Sequence, residues 1–155
     1  MISNLQWNSI NDKVMGGKSK STARLTEDAY LIFEGMVSLE NNGGFASIKS
    51  SRMDNLDEDI TKCTVSFQGD GKTYHLRLYP KNYRNGVAYT KTFKTTQDSV
   101  QSITIFLDEM EAHFRGTKLP DLPKLKASEI AHIGFMIKDK QEGAFQLGIQ
   151  DLTFS

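Results

Sequence analysis

Groups able to do chemistry are thinly spread along this chain. His75, His113 and His132 stand far apart, and no H-E-x-x-H, H-x-H or cysteine pair supplies a zinc site. No G-x-S-x-G turn and no Ser/His/Asp order points to a nucleophile. Cys63 is the only cysteine, and it alternates with Val65 and Phe67 on one strand face, which makes it a core thiol. Asp108, Glu109 and Glu111 cluster as solvated carboxylates do, without forming an acid/base pair. Gly17-Lys18-Ser19 copies the tail of a phosphate-binding loop. Position 12, where that loop needs glycine, is aspartate, and no strand-to-helix context surrounds it. Asp12 is a hard-cation ligand type, yet no D-x-D-x-D-G spacing accompanies it. The expectation is therefore no catalytic residue, no metal and no cofactor.

What remains is chemistry suited to binding. Asn11 to Ser19 reads N-D-K-V-M-G-G-K-S, and Glu40 to Ser50 reads E-N-N-G-G-F-A-S-I-K-S. Asn11 and Asp12 carry side chains that close Asx-type turns on nearby backbone groups, or that face a ligand or partner from a loop; both readings stand. The stretch from Gly71 to Gln97 holds Lys72, Arg77, Lys81, Arg84, Lys91 and Lys94 with no acidic residue. Tyr74, Tyr79, Tyr83, Tyr89 and Phe93 are interleaved with them. Basic groups attract phosphates or carboxylates, and aromatic rings stack on bases or sugars. The alternative is that half of these rings are core and the lysines solvate strand edges.

The elements that must position these groups are strands. Leu31, Phe33, Val37 and Leu39 share one face; so do Cys63, Val65 and Phe67, and then Tyr74, Leu76 and Leu78, with His75, Arg77 and Tyr79 opposite. Asp70-Gly71 and Asn85-Gly86 read as hairpin turns. Pro80 ends its strand or marks an edge. Val100 to Leu107 offers Ile103, Ile105 and Leu107 as its buried side, and Asp108 to Glu129 reads as irregular. The alternation Phe145, Leu147, Ile149 slips to Leu152 and Phe154, which predicts a bulge near Gln150-Asp151. Eight or nine short strands without a long amphipathic helix predict an antiparallel β-sandwich and argue against a nucleotide-binding α/β fold.

A chain of 155 residues reads as one domain, 1–155, long enough to bury a core without disulfides. Nineteen basic residues balance nineteen acidic ones, so any attraction for nucleic acid or membrane must come from a local patch. The lone cysteine, the lack of a leader pattern and the lack of a long apolar run predict a cytoplasmic protein without membrane insertion.

Five blocks, taken in order, resemble the complex I intermediate-associated protein family. They are N-D-K-V-M-G-G-K-S, N-N-G-G-F-A-S-I-K-S, G-D-G-K-T-Y-H-L-R-L, F-R-G at Phe114 to Gly116, and G-F-M-I-K-D-K-Q-E-G-A-F at Gly134 to Phe145. The resemblance implies a jelly-roll β-sandwich similar to galactose-binding domains. It implies a role rather than a reaction: a non-enzymatic assembly factor or chaperone that binds subunits of a respiratory or other membrane complex. It brings no catalytic residues. Candidate binding residues are Asn11, Asp12, Met15, Asn42, Arg77, Tyr79, Tyr83, Arg84 and Arg115. The alternative is a module that binds through an exposed basic and aromatic sheet face, either carbohydrate at Arg77, Tyr79 and Tyr83 or single-stranded RNA along the basic, aromatic hairpin.

Overall fold

The computed structural model describes residues 2–11, 17–40, 44–83 and 86–155. Among these, twelve strands follow one another: β1 Trp7–Asn11, β2 Lys20–Leu25, β3 Leu31–Val37, β4 Ala46–Ser50, β5 Lys62–Gln68, β6 Thr73–Pro80, β7 Val87–Lys94, β8 Val100–Phe106, β9 Glu111–Phe114, β10 Thr117–Lys118, β11 Ile130–Ile137 and β12 Gly143–Phe154. They form two antiparallel sheets, a seven-stranded one in the order β1-β4-β11-β6-β7-β9-β10 and a five-stranded one in the order β2-β3-β12-β5-β8. This is a jelly-roll sandwich.

Period-two patterning decides which side chains lie between the sheets. Leu31, Phe33 and Val37 point inward from β3, as do Cys63, Val65 and Phe67 from β5 and Tyr74, Leu76 and Leu78 from β6. Leu39 lies beyond β3 and is exposed, because the strand ends at Val37. Aromatic rings bridge the layers. Across the sandwich Phe33 meets Tyr74 at 6.3 Å and Phe67 meets Phe93 at 4.9 Å, and within the five-stranded sheet Phe33 meets Phe145 edge-on at 4.9 Å. Each such pair adds about 0.5–1.5 kcal/mol beyond its buried area.

The slip in β12 is present: its register against β5 shifts between Ile149 and Asp151. β6 and β7 pair antiparallel, with Gly86 at φ +102° in the connection, while Asn85 lies outside the described residues.

Two expectations are corrected. Gly69 to Lys72 is no hairpin turn: β5 and β6 belong to different sheets, and the segment crosses between them. Asp70 makes the crossing possible. Its carboxylate accepts from the Lys72 backbone N–H at 3.1 Å, from the Tyr74 hydroxyl at 3.0 Å and from the Gln146 backbone N–H at 2.9 Å. Side-chain acceptors at a crossover replace the ladder bonds a hairpin would have made. The segment from Asp108 to Glu129 is likewise more than irregular. It holds the β9–β10 hairpin, turned by Arg115 at φ +49° and Gly116 at φ +83°. Two successive positive φ values match the right-handed strand twist, and the F-R-G block supplies them with one glycine.

Candidate binding site

The outer face of the seven-stranded sheet gathers polar side chains from strands distant in sequence. Register alone sets the rows. Asn8, Lys49, Gly134, Arg77, Thr90 and Glu111 lie side by side across β1, β4, β11, β6, β7 and β9. The neighbouring row runs Ile10, Ser47, Met136, His75, Thr92. On the other side Tyr79 stands beside His132.

Gly134 organises the middle of this face. A Cβ there would lie 2.9 Å from the Ile48 carbonyl oxygen and 3.0 Å from Cε2 of Tyr79. The missing side chain lets the Tyr79 ring lie down over the β11 backbone. Arg77 Nε–H donates to Tyr79 Oη at 3.2 Å, and Arg77 Nη1 lies 3.8 Å from Met136 Sδ. Lys49 Nζ sits 4.2 Å from the Tyr79 ring centroid and Arg77 Cζ 5.6 Å from it. Such cation–π contacts hold cations without neutralising them. Burial first, and then the Arg77 charge, hold the Lys49 ammonium below the usual lysine value. Among the described residues neither cation forms a salt bridge.

Beside Arg77 the sheet hollows into a cavity of about 270 Å³ lined by His75, Thr90, Thr92, Glu111, His113 and Lys138, among others. His75 is buried, with Nε2 2.9 Å from Asp139 Oδ2 and Nδ1 3.2 Å from Thr92 Oγ1. A carboxylate only accepts, so Nε2 carries the proton and Nδ1 accepts from the threonine hydroxyl. Burial lowers the His75 pKa and outweighs the opposing bond to Asp139. His113 Nδ1 is 3.2 Å from Thr90 Oγ1. Among the described residues no group of three or more His, Cys, Asp or Glu side chains is placed to hold a metal ion. None of their helices is long and apolar enough to cross a membrane.

Of the residues singled out in the sequence, Arg77 and Tyr79 come together on this face. Asn11 is at the end of β1, where its carboxamide oxygen accepts from Ser21 Oγ at 2.6 Å and from the Ser47 N–H at 3.4 Å, tying the edges of the two sheets. Arg115 is exposed at the β9–β10 turn, its guanidinium 5.3 Å from the Phe114 ring centroid. Tyr83 is half-buried after β6 and packs against the core. Asp12, Met15, Asn42 and Arg84 lie outside the described residues. The basic, aromatic stretch is dispersed: Tyr74, Tyr89 and Phe93 are core, and Lys72 and Lys81 donate to the Ala144 and Ser128 carbonyls. Lys49, Gly134 and His75 were missed as site residues. Strand alternation places each on an outward face, but nothing in the order of the chain brings them together.

The fold is shared with solved structures at low identity. A family 11 carbohydrate-binding module of a cellulosomal cellulase from Clostridium thermocellum superposes with a TM-score of 0.69 at 16% identity, covering 94% of this chain and 86% of that one. The family 11 module from that organism, in complex with a β-1,3-1,4-mixed-linked tetrasaccharide, gives 0.67 at 16% identity, covering 92% and 86%. An agarase gives 0.64 at 11% identity, covering 96% of this chain and 22% of that one. No curated protein matches in sequence. The description of complex I intermediate-associated protein 30 (CIA30), by contrast, matches residues 2–149, nearly the whole chain, and the protein belongs to that family.

Proposed function

We propose that this chain is a non-enzymatic assembly factor that holds a protein client against the outer face of its seven-stranded sheet. The observation that carries the reading is the pair Lys49 and Arg77. Two cations are held against one tyrosine on an open sheet face, without a salt bridge among the described residues. A charged pair left uncompensated by its own fold favours association with a complementary surface. Family membership supports the same role, with a subunit of a respiratory or other membrane complex as client. Cytoplasmic residence belongs to this reading, and fractionation of native cells checks it.

Mass spectrometry of what co-purifies with the tagged chain from its native cells tests the proposal. Subunits of a membrane complex come down with the wild type and are lost from an Arg77→Ala, Tyr79→Ala variant that still folds. A preparation carrying no specific protein overturns it.

A second reading, a carbohydrate-binding module, draws support from the fold of the two Clostridium thermocellum structures. The Tyr79 ring is its natural sugar platform. Lys49 stands over that ring and would have to move aside for a sugar to stack there. A glycan array decides it: binding above background that Tyr79→Ala abolishes favours the module, and a blank array removes it.

A further inference from the structure

We infer that Lys49, Arg77 and Tyr79 form a carboxylate-binding subsite over Gly134, and that its ligand is an acidic segment of a partner protein. The inference deepens the assembly-factor reading and rests on it for the choice of a protein ligand.

The subsite is built by register. Lys49 and Arg77 both pair with Gly134, one from each side. Their Cα atoms are two strand spacings apart, about 10 Å, and Gly134 itself puts no side chain between them. The Tyr79 ring forms the floor, and both cations reach it. Arg77 is oriented by Tyr79 Oη and Met136 Sδ, neither of which carries charge. The remaining guanidinium N–H groups and the Lys49 ammonium are donors suited to one carboxylate. Charge-assisted bonds of this kind are the strong ones, and Arg offers them in a planar fork. Depression of the Lys49 pKa agrees with the geometry, since a bound anion would relieve the proximity of Arg77 that contributes to it.

The surroundings favour a carboxylate on a flexible peptide side chain over a nucleic acid strand. Glu111 closes the same row beyond Thr90, and Asp139 is held on His75, the outward neighbour of Arg77 along β6. A nucleic acid strand fixes a phosphate in its backbone at every nucleotide and would set several against these carboxylates, whereas a peptide can present one flexible side-chain carboxylate and turn its neighbours to solvent. It would also lack its stacking platform, because Tyr74, Tyr89 and Phe93 are buried. A neutral sugar would leave both cations uncompensated.

The test is an amide and side-chain NMR titration of the full ¹⁵N-labelled chain with an end-blocked hexaglutamate peptide. Parallel titrations use hexagalacturonate, a mixed RNA decamer and inorganic phosphate. Saturable shifts of the Gly134 N–H and Arg77 Nε–H with hexaglutamate are expected. The affinity falls as salt rises and drops about tenfold or more in a Lys49→Gln, Arg77→Gln variant, as loss of charge-assisted bonds requires. Arg77→Lys, which keeps the charge, recovers part of it. An amide spectrum as dispersed as the wild type's certifies each variant as folded. Absence of shifts at these residues overturns the inference, and so does tighter binding of RNA, phosphate or hexagalacturonate there. The assembly reading fails separately: hexaglutamate binding without any co-purified protein sinks that reading, and the protein ligand with it, but leaves the carboxylate subsite standing, while co-purified clients without hexaglutamate shifts sink the subsite alone.

Discussion

Cys63 shows how burial decides reactivity for a single side chain. It is fully enclosed between the sheets, and desolvation pushes its thiol pKa up to about 12. The thiolate is the reactive form, so the native thiol is inert near neutral pH. A thiol-reactive disulfide reagent is expected to leave the folded protein unmodified and to titrate one thiol in denaturant; rapid native labelling would contradict this. His75 offers a pH counterpart. Its folded pKa lies below the ordinary value of about 6.5, so in between the unfolded chain takes up a proton that the folded one refuses. The stability this contributes is complete above about pH 6.5 and is lost as the pH falls. Asp139, Lys138 and Arg77 modulate the shift, but burial sets its direction. Between pH 7.5 and about 5.5 the wild-type unfolding midpoint should fall more than that of His75→Gln, followed by circular dichroism.

Strand pairing raises the cost of changes that look mild in sequence. Gly35 of β3 faces Ser21 of β2, and a Cβ there would lie 2.0 Å from the Lys20 carbonyl oxygen. Backbone atoms cannot rotate away as a side chain can, so Gly35→Ala must push β2 outward. A destabilisation of about 1–3 kcal/mol is expected, as for overpacking elsewhere, with hydrogen-exchange protection lost first along β2. Asp70 plays the opposite role at the β5–β6 crossing, where one carboxylate ties β6 to β12. Asp70→Ala leaves the Tyr74 hydroxyl and the Gln146 N–H without that acceptor and should cost about 2–4 kcal/mol, read by urea unfolding. Asp70→Asn, which keeps an acceptor oxygen, should lose less.

At the level of the whole molecule, aromatic rings from both sheets form one core. Phe135 of β11 meets Phe93 of β7 and Trp7 of β1, and Phe93 in turn meets Phe67 of β5 across the sandwich. The two sheets should therefore unfold together. Phe135→Ala is expected to cost about 3–5 kcal/mol and to lower a single cooperative transition by roughly 10 °C. Separate transitions for the two sheets would contradict the shared core.

Much of this was legible along the chain, because side-chain alternation is a local consequence of strand geometry. Cys63, Val65 and Phe67 as a buried face, Arg77 and Tyr79 as neighbours on the opposite face of β6, and the slip at Gln150-Asp151 all follow from a period of two. Family membership was equally legible, since it rests on blocks read in order. Pairing was not. Gly69 to Lys72 carries hairpin chemistry yet spans two sheets, because the Asp70 carboxylate meets backbone and hydroxyl groups that no local rule anticipates. Lys49 and Gly134 looked like ordinary strand residues. They matter because antiparallel register sets β4, β11 and β6 side by side, and so brings two cations from distant stretches onto one tyrosine ring. Alternation depends on neighbours in the chain, and a binding face depends on neighbours in space, which strand pairing within the seven-stranded sheet establishes.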